Sequence, residues 1–388
     1  MGMNPLVVLQ VLPALDAGGV EAGTVEMAQA IVRAGGRAIV ASAGGRMTQS
    51  VLRAGGRHVT LPLATKNPVR IWRNAARLEG VIRESGVTLV HARSRAPAWS
   101  AWLAARRTGV HFVTTWHGSY GETVPLKRRY NAVMARGERI IAISHHIAAE
   151  IVARHGVAED RIRVIPRGVD PLRFDPDAVK GDRVAALAAQ WRLPEDAAVI
   201  LLAGRLTRWK GQTVAIEALA RMRHRNACLV LAGSHQGRYA YARELETLAV
   251  RLGVGARVRL VGDCADMPAA LRLANIALNA STTPEAFGRT VIEAQAMRAL
   301  LIAANHGGAA ETVTDGETGI LVPPGDAAAL AEALDRALAL PEPTRRAIGE
   351  AARASVLAHH TTAAMQRATL RVYGEILGPE IIASGGAP

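Results

Sequence analysis

The sequence predicts an α/β fold with two parallel-sheet domains, on three observations. A strand, a glycine turn and a helix follow one another at the start of the chain, and the same alternation begins again from residue 183. At 388 residues the chain is too long for one ordinary core and suits two. Apolar residues make up 49% of it, yet Phe112, Phe174 and Phe287 are its only phenylalanines. The cores must therefore be built from Ala, Val, Leu and Ile, as parallel sheets covered by helices are.

The first strand is predicted over 6–12. Met1-Gly2-Met3-Asn4-Pro5 before it has no cationic region, and no small-residue cleavage site follows, so the apolar run reads as a strand and not as a signal peptide. Ala17-Gly18-Gly19-Val20-Glu21 then turns into a helix running through residue 32, without the full G-x-G-x-x-G pattern. Two adjacent glycines either let backbone amides approach a phosphate at a helix N-terminus or make a tight turn, and both readings stay open. Glu21 supports the helix start.

Strands at 37–41, 58–62 and 88–91 alternate with helices at 48–53 and 69–84. Ala-Gly-Gly-Arg appears at 34–37, 43–46 and 54–57, spaced unequally, so these glycines end helices and make loops and do not mark a repeat. After His91, Ala92-Arg93-Ser94-Arg95 puts two arginines beyond a strand's carboxyl end, the edge that faces the ligand crevice in an open α/β sheet. A solvated loop is the alternative. The strand 111–115 delivers Trp116-His117-Gly118, where a neutral imidazole can donate and accept, although a lone histidine is usually structural. The chain turns basic at Lys127-Arg128-Arg129, ahead of a helix through 136. A strand at 140–143, Ser144 as N-cap of a helix through 154 and a short strand at 163–165 follow. Pro166 to Pro176, with three prolines and a glycine, reads as a linker.

The second run opens with a helix at 183–190 and a strand at 199–203. The strand leads into Gly204-Arg205-Leu206-Thr207-Arg208-Trp209-Lys210-Gly211 and a helix over 212–222. Two cations five residues apart with glycines at either end suit a diphosphate, arginine as a planar fork and lysine as a point charge. A random basic turn is the alternative, and Arg208 reads as solvated surface. Strands at 228–232 and 258–261 flank a helix at 239–252, and a short helix spans 267–272.

The strand 276–280 then leads into Thr282-Thr283-Pro284-Glu285-Ala286-Phe287-Gly288-Arg289-Thr290, with a helix over 290–300. Gly288 loosens the turn, and the first amides of the helix are donors for an oxygen-rich ligand. Glu285 and Glu293 stand eight residues apart, so both can face one cleft and accept paired hydrogen bonds from vicinal hydroxyls. The bland reading makes Glu285 a cap and Glu293 a surface charge. A strand at 300–303 with Asn305-His306-Gly307-Gly308, a strand at 318–322, a helix at 327–338 and a last helix at about 362–377 complete the chain. His359-His360 reads as surface.

Cys228 and Cys264 lack metal-ligand spacing and read as free thiols. Nowhere do eighteen uncharged apolar residues run together, so no membrane span is expected. The net charge of +14 is divided unevenly, +12 over residues 1–180 and +2 over the rest. Such a field suits nucleic acid, an anionic membrane or a phosphorylated acceptor. With no nucleic-acid motif and few aromatic residues, nucleic acid is the least favoured of the three.

Glu285 to Glu293, set in Pro-Glu-Ala-Phe-Gly-(x)4-Glu-Ala, resembles the E-x7-E signature of retaining glycosyltransferases of family 4. Gly18-Gly19-Val20-Glu21, Thr115-Trp116-His117-Gly118, Ile165-Pro166-Arg167-Gly168-Val169-Asp170, Gly204-Arg205-(x)4-Lys210-Gly211 and Asp315-Gly316-Glu317-Thr318-Gly319 stand in that family's order, so the resemblance covers most of the chain. It implies the GT-B fold, two Rossmann-like domains with parallel sheets facing across a cleft. An acceptor-side domain over 1–172 would be joined by the helix at about 362–377, and a nucleotide-sugar domain would span 183–361.

The resemblance also implies roles. Arg205 and Lys210 neutralise the departing diphosphate. Glu293 binds the ribose hydroxyls, while Glu285 and the amides of Phe287, Gly288, Arg289 and Thr290 position the sugar. His117 contacts the sugar from the other side, and the Gly19 amide lies beside the pyrophosphate and the acceptor. The donor phosphate takes the acceptor's proton, and the Gly262–Met267 turn holds the base through backbone groups. Arg167 stands where the family usually has asparagine. The expected reaction is retaining hexosyl transfer from a GDP- or UDP-sugar, with no cofactor and no metal.

Within the family, the stretches 12–21 and 91–99 look most like bacterial lipopolysaccharide-core mannosyl- or glucosyltransferases. A transferase for exopolysaccharide or another glycolipid is the alternative, and a non-catalytic nucleotide-binding protein on the same scaffold is the reading from another class. Arg93, Arg95, Lys127, Arg128 and Arg129 are the candidates to meet an anionic glycolipid acceptor. The protein is expected in the cytoplasm, in peripheral contact with the inner face of an anionic membrane.

Overall fold

The computed structural model describes residues 6–16, 18–122 and 124–380. Met1–Pro5, read above as the lead into the first strand, and Ala17 of the glycine turn lie outside the described residues. The chain divides into two compact units. One runs to Arg167 and resumes at Thr362, and the other is Gly168–Thr361.

In the first unit the chain runs β1 (Val7–Val11), α1 (Gly19–Arg33), β2 (Arg37–Ser42), α2 (Thr48–Arg53), β3 (Arg57–Thr60), α3 (Pro68–Ser85), β4 (Leu89–Ala92) and α4 (Arg95–Thr108). It continues through β5 (His111–Trp116), α5 (Pro125–Asn131), β6 (Arg139–Ala142), α6 (His145–His155) and β7 (Ile162–Val164). All strand pairs are parallel, in the order β3-β2-β1-β4-β5-β6-β7, and every residue of the central β1 is buried. Burial on both faces explains why these strands read as unbroken apolar runs.

In the second unit come α7 (Gly181–Gln190), β8 (Ala198–Ala203), α8 (Gln212–Arg221), β9 (Ala227–Ala232), α9 (Tyr239–Arg251), β10 (Val258–Gly262) and α10 (Met267–Leu273). β11 (Ile276–Asn279), α11 (Arg289–Ala296), β12 (Leu301–Ala304), α12 (Gly307–Ala310), β13 (Ile320–Val322), α13 (Ala327–Ala339) and α14 (Glu342–His359) follow. The sheet is again wholly parallel, in the order β10-β9-β8-β11-β12-β13.

The last helix, α15 (Thr362–Leu377), belongs to the first unit. Met365, Val372 and the fully buried Tyr373 join the core formed by Val8, Met27, Ile31 and Leu89. The Tyr373 hydroxyl lies 2.7 Å from His91 Nδ1, and His91 Nε2 lies 2.6 Å from Thr115 Oγ1, so a buried polar chain ties α15 to β4 and β5.

Three helices, α4, α12 and α14, escaped the sequence reading. α4 begins at Arg95 and carries Pro97 in its first turn, and α14 carries Pro343 there. A proline reads as a break, yet in the first turn its missing N–H has no intrahelical partner to lose. The helix expected over 290–300 stops at Ala296, because Arg298 adopts a left-handed backbone (φ 57°). His360 is not a surface residue. It is half-buried, with its ring edge-on to Phe287 at 5.9 Å, whereas His359 is exposed as expected.

Candidate active site

In the second unit three sheet ends converge on Glu285. After β8 the chain passes Arg205 and reaches Lys210 in a short 3-10 turn, Arg208–Lys210. Gly211 then takes φ 72° and packs so closely on the Ala280 carbonyl that a Cβ there would overlap it. Thr282 donates its amide to the Trp209 carbonyl at 2.8 Å. These two contacts press the Lys210 turn against the end of β11. As a result Lys210 Nζ donates to Glu285 Oε1 at 2.7 Å. The same oxygen accepts from Asn279 Nδ2 at 2.8 Å and from Ser281 Oγ at 2.5 Å.

Burial would raise the Glu285 carboxyl, but Lys210 and the three hydrogen bonds outweigh it and hold the group below the usual carboxylate range. Asn279 and Ser281 carry this arrangement, and neither was singled out from sequence. Their only signal there was a polar pair closing an apolar strand.

The backbone around Glu285 is fixed by the next loop. Gly308 donates its amide to the Glu285 carbonyl at 2.8 Å, and His306 Nε2 lies 2.8 Å from the Ser281 carbonyl. Gly288 takes φ 82° with Ala309 so near that a Cβ would stand 2.7 Å from Ala309 Cβ, and α11 starts at the next residue. The Arg289 and Thr290 amides open that helix, where the i−4 carbonyl is missing. One turn later Glu293 Oε1 lies 3.3 Å from Arg289 Nε. Phe287 is buried.

The Arg205 side chain is exposed and bonds to no described side chain, whereas Lys210 is mostly buried. Arg208, on the surface as expected, pairs with Glu244 at 2.6 Å. In the Gly262–Met267 turn Asp266 is engaged with Arg183 at 2.7 Å and caps α10.

The expectation of no metal took the chain to lack an Asp-x-Asp motif, and that was wrong, because Asp175-Pro176-Asp177 is one. Both carboxylates face arginine: Asp175 Oδ1 is 3.3 Å from Arg353 Nη2, and Asp177 Oδ1 is 2.8 Å from Arg298 Nη1. Among the described residues no three His, Cys, Asp or Glu side chains gather as a metal site.

In the first unit His117 follows β5 directly. Its Nε2 is buried without a hydrogen-bond partner. Burial, helped by Arg167, Arg93 and His91, holds its pKa well below the ordinary value, so the imidazole is neutral near pH 7. An orphaned ring nitrogen on a neutral imidazole is a free donor or acceptor for a hydroxyl.

Gly19 opens α1, and its carbonyl accepts from Arg167 Nη2. Arg167 fits because Gly23 has no Cβ, and its Nη1 rests 3.8 Å from Met365 Sδ. The family's asparagine position thus holds a buried clamp on the glycine turn.

The acceptor-side arginines need correction. Arg93 is only 2% exposed and donates to Gln10 Oε1 at 3.2 Å, because β1 and β4 are neighbours. Arg95 begins α4, lies 4.1 Å from the Tyr120 ring centroid and donates to Asn131 Oδ1 at 3.0 Å. Neither is a free loop arginine. Lys127, Arg128 and Arg129, on α5, are exposed.

The family pattern described as "Glycosyltransferase Family 4" matches residues 17–173, and "Glycosyl transferases group 1" matches residues 185–355. D-inositol 3-phosphate glycosyltransferase 1 of Catenulispora acidiphila is 32% identical over 305 residues, covering 72% of this chain and 70% of that protein. Across several relatives of that name the chain spans 60–70% of their length.

A glycosyltransferase structure from Rickettsia africae superposes with a TM-score of 0.90 at 35% identity, over 97% of this chain and 99% of that one. HepE of Anabaena, solved with UDP-glucose, superposes at 0.85 over 96% of this chain and 100% of its own, and at 22% identity this likeness shows the fold. The two wholly parallel sheets with flanking helices are those of the GT-B fold. The chain therefore belongs to the family-4, group 1 glycosyltransferases and is a hexosyltransferase.

Proposed function

We propose that the chain is a retaining, metal-independent transferase that takes a hexose from a GDP- or UDP-sugar and places it on a lipopolysaccharide-core or related anionic glycolipid. The observation that carries the donor half of this reading is the Lys210 turn pressed against Glu285, with Arg205 free beside it in sequence and the α11 amides following. Arg205 and Lys210 offset the charge that grows on the departing diphosphate, which speeds the step only where that charge develops. Glu285, locked as a carboxylate, accepts from sugar hydroxyls through its second oxygen. Glu293 accepts from the ribose. His117 hydrogen bonds the sugar without carrying charge.

HepE was solved with UDP-glucose, which supports a nucleotide-sugar donor. The acceptor half draws on the +12 charge of residues 1–180 and on the exposed Lys127, Arg128 and Arg129, which would also hold the protein on an anionic membrane. No described helix is long and apolar enough to cross one.

A second reading replaces the glycolipid with a small phosphorylated acceptor, since the curated relatives are named for D-inositol 3-phosphate. Their names do not point to lipopolysaccharide. Nucleotide release, measured with GDP- and UDP-hexoses against a lipid-borne and a soluble phosphorylated acceptor, tests both. No release from any of these donors with either acceptor would defeat the proposal.

A further inference from the structure

We propose that Arg167 and Gly23 are a matched pair that positions the glycine turn for transfer: the arginine holds the Gly19 carbonyl, and the glycine makes the room it needs. This rests on the reading of the Gly19 amide as a contact for the donor pyrophosphate and the acceptor, and it adds two positioning residues that touch neither.

The start of α1 has an unusual support. Its N-cap is Gly18, at φ 145°, which offers no capping side chain, whereas Asn67 and Ser144 cap α3 and α6 in the same unit. What the turn receives instead is Arg167, whose Nη2 donates to the Gly19 carbonyl from a position 148 residues away in sequence. A bond from a buried cation to a carbonyl is stronger than one between neutral groups. Further along, Gln10 Nε2 donates to the Thr24 carbonyl at 3.0 Å and Gln366 Nε2 to the Glu26 carbonyl at 2.7 Å. Those residues pin the rest of α1, so Arg167 governs its first turn.

Gly23 lies inside α1, is buried, and is not among the glycines with positive φ. Conformational freedom therefore does not call for glycine there, and glycine weakens a helix interior relative to alanine. Space does call for it. A Cβ at Gly23 would overlap the guanidinium, standing 2.7 Å from Arg167 Cζ. On its other side Arg167 Nη1 lies 3.8 Å from Met365 Sδ, and the whole side chain is only 6% exposed. The guanidinium has no other place to go.

Two different changes thus remove one contact. Asparagine at 167 ends three bonds short of the arginine's terminal nitrogens and releases the Gly19 carbonyl. Alanine at 23 drives the guanidinium out. Once either change is made the other has no contact left to break, so their effects cannot multiply.

The test compares Arg167→Asn, Gly23→Ala, their double variant and Arg167→Lys in the full chain. Gly23→Ala should lower the melting temperature of the wild type and raise it in the Arg167→Asn background, where only the helix preference for alanine is left. Amide hydrogen exchange over residues 19–23 should quicken in both single variants, and over 24–33 it should not. Turnover with UDP- or GDP-hexose and the two acceptors named above should fall about ten- to a hundredfold in each single variant. The Kd for UDP and GDP should stay unchanged, because Arg205, Lys210 and Glu293 lie in the second unit. The double variant should be no slower than the slower single one, and Arg167→Lys, still a long cationic donor, should recover part of the loss.

Wild-type turnover in both single variants overturns the inference, as do losses that multiply in the double variant. So does Gly23→Ala lowering the melting temperature equally in both backgrounds. Exchange and melting need no substrate, so they decide the clamp even where absent nucleotide release has defeated the transferase reading.

Discussion

Lys210 Nζ and Glu285 Oε1 stand 2.7 Å apart, and both side chains are largely buried. On the proposed donor reading the lysine serves two anions, the Glu285 carboxylate and the diphosphate. On the same reading Arg205, whose side chain is exposed and bonds to no described residue, serves only the second.

This difference predicts that two variants with one kinetic defect differ in stability. Arg205→Ala and Lys210→Ala should each cut turnover by about two orders of magnitude, as the loss of a charge-assisted contact to a leaving group does. Lys210→Ala should also destabilise the chain by about 3–5 kcal/mol, because it strands a buried carboxylate. Arg205→Ala should melt near the wild-type temperature. Thermal unfolding beside steady-state kinetics separates the two, and equal melting of all three proteins would refute the dual role.

Glu293→Gln should weaken nucleotide binding while leaving turnover at saturating donor nearly intact, since ribose hydroxyls bind alike in ground and transition states. Titration calorimetry with GDP and UDP measures it. An unchanged Kd would reduce Glu293 to a partner for Arg289.

Activity should survive excess EDTA, because Arg205, Lys210 and the α11 amides meet the diphosphate charge. Asp175 and Asp177 are the residues to suspect if it does not. Loss of activity that Mg or Mn restores in the wild type but not in an Asp177→Asn variant would show that they hold an ion.

Stability should fall on mild acidification. Burial lowers the pKa of His91 and His117, so the unfolded chain takes up protons from about pH 6.5 downward while the folded chain resists them. The stabilisation is complete above pH 6.5 and is lost as the pH drops below it. Melting temperatures between pH 7.5 and 5.5 should decline, and less steeply in His117→Gln. Parallel slopes would mean that His117 is protonated in the folded chain.

The parallel sheets were legible because burial on both faces leaves strands uniformly apolar, as in Val7–Val11 and Ala227–Ala232. α4 and α14 were hidden by first-turn prolines. In the site, Arg205, Lys210 and Glu285 stood out because they are charges beside glycines at strand ends. Asn279 and Ser281 did not, for their task is visible only once Gly211 brings Lys210 onto β11. Arg93 misled because position beyond a strand end says nothing about burial, and its partner Gln10 is 83 residues away.

The most direct test of retaining transfer is the anomeric configuration of the product, read by NMR after incubation with GDP- or UDP-hexoses and an anionic glycolipid acceptor. Arg205 and Lys210 acting on an α-linked donor predict equimolar release of the nucleoside diphosphate and an α-linked product, both abolished in Arg205→Ala. A β-linked product, or undiminished transfer by Arg205→Ala, would contradict it.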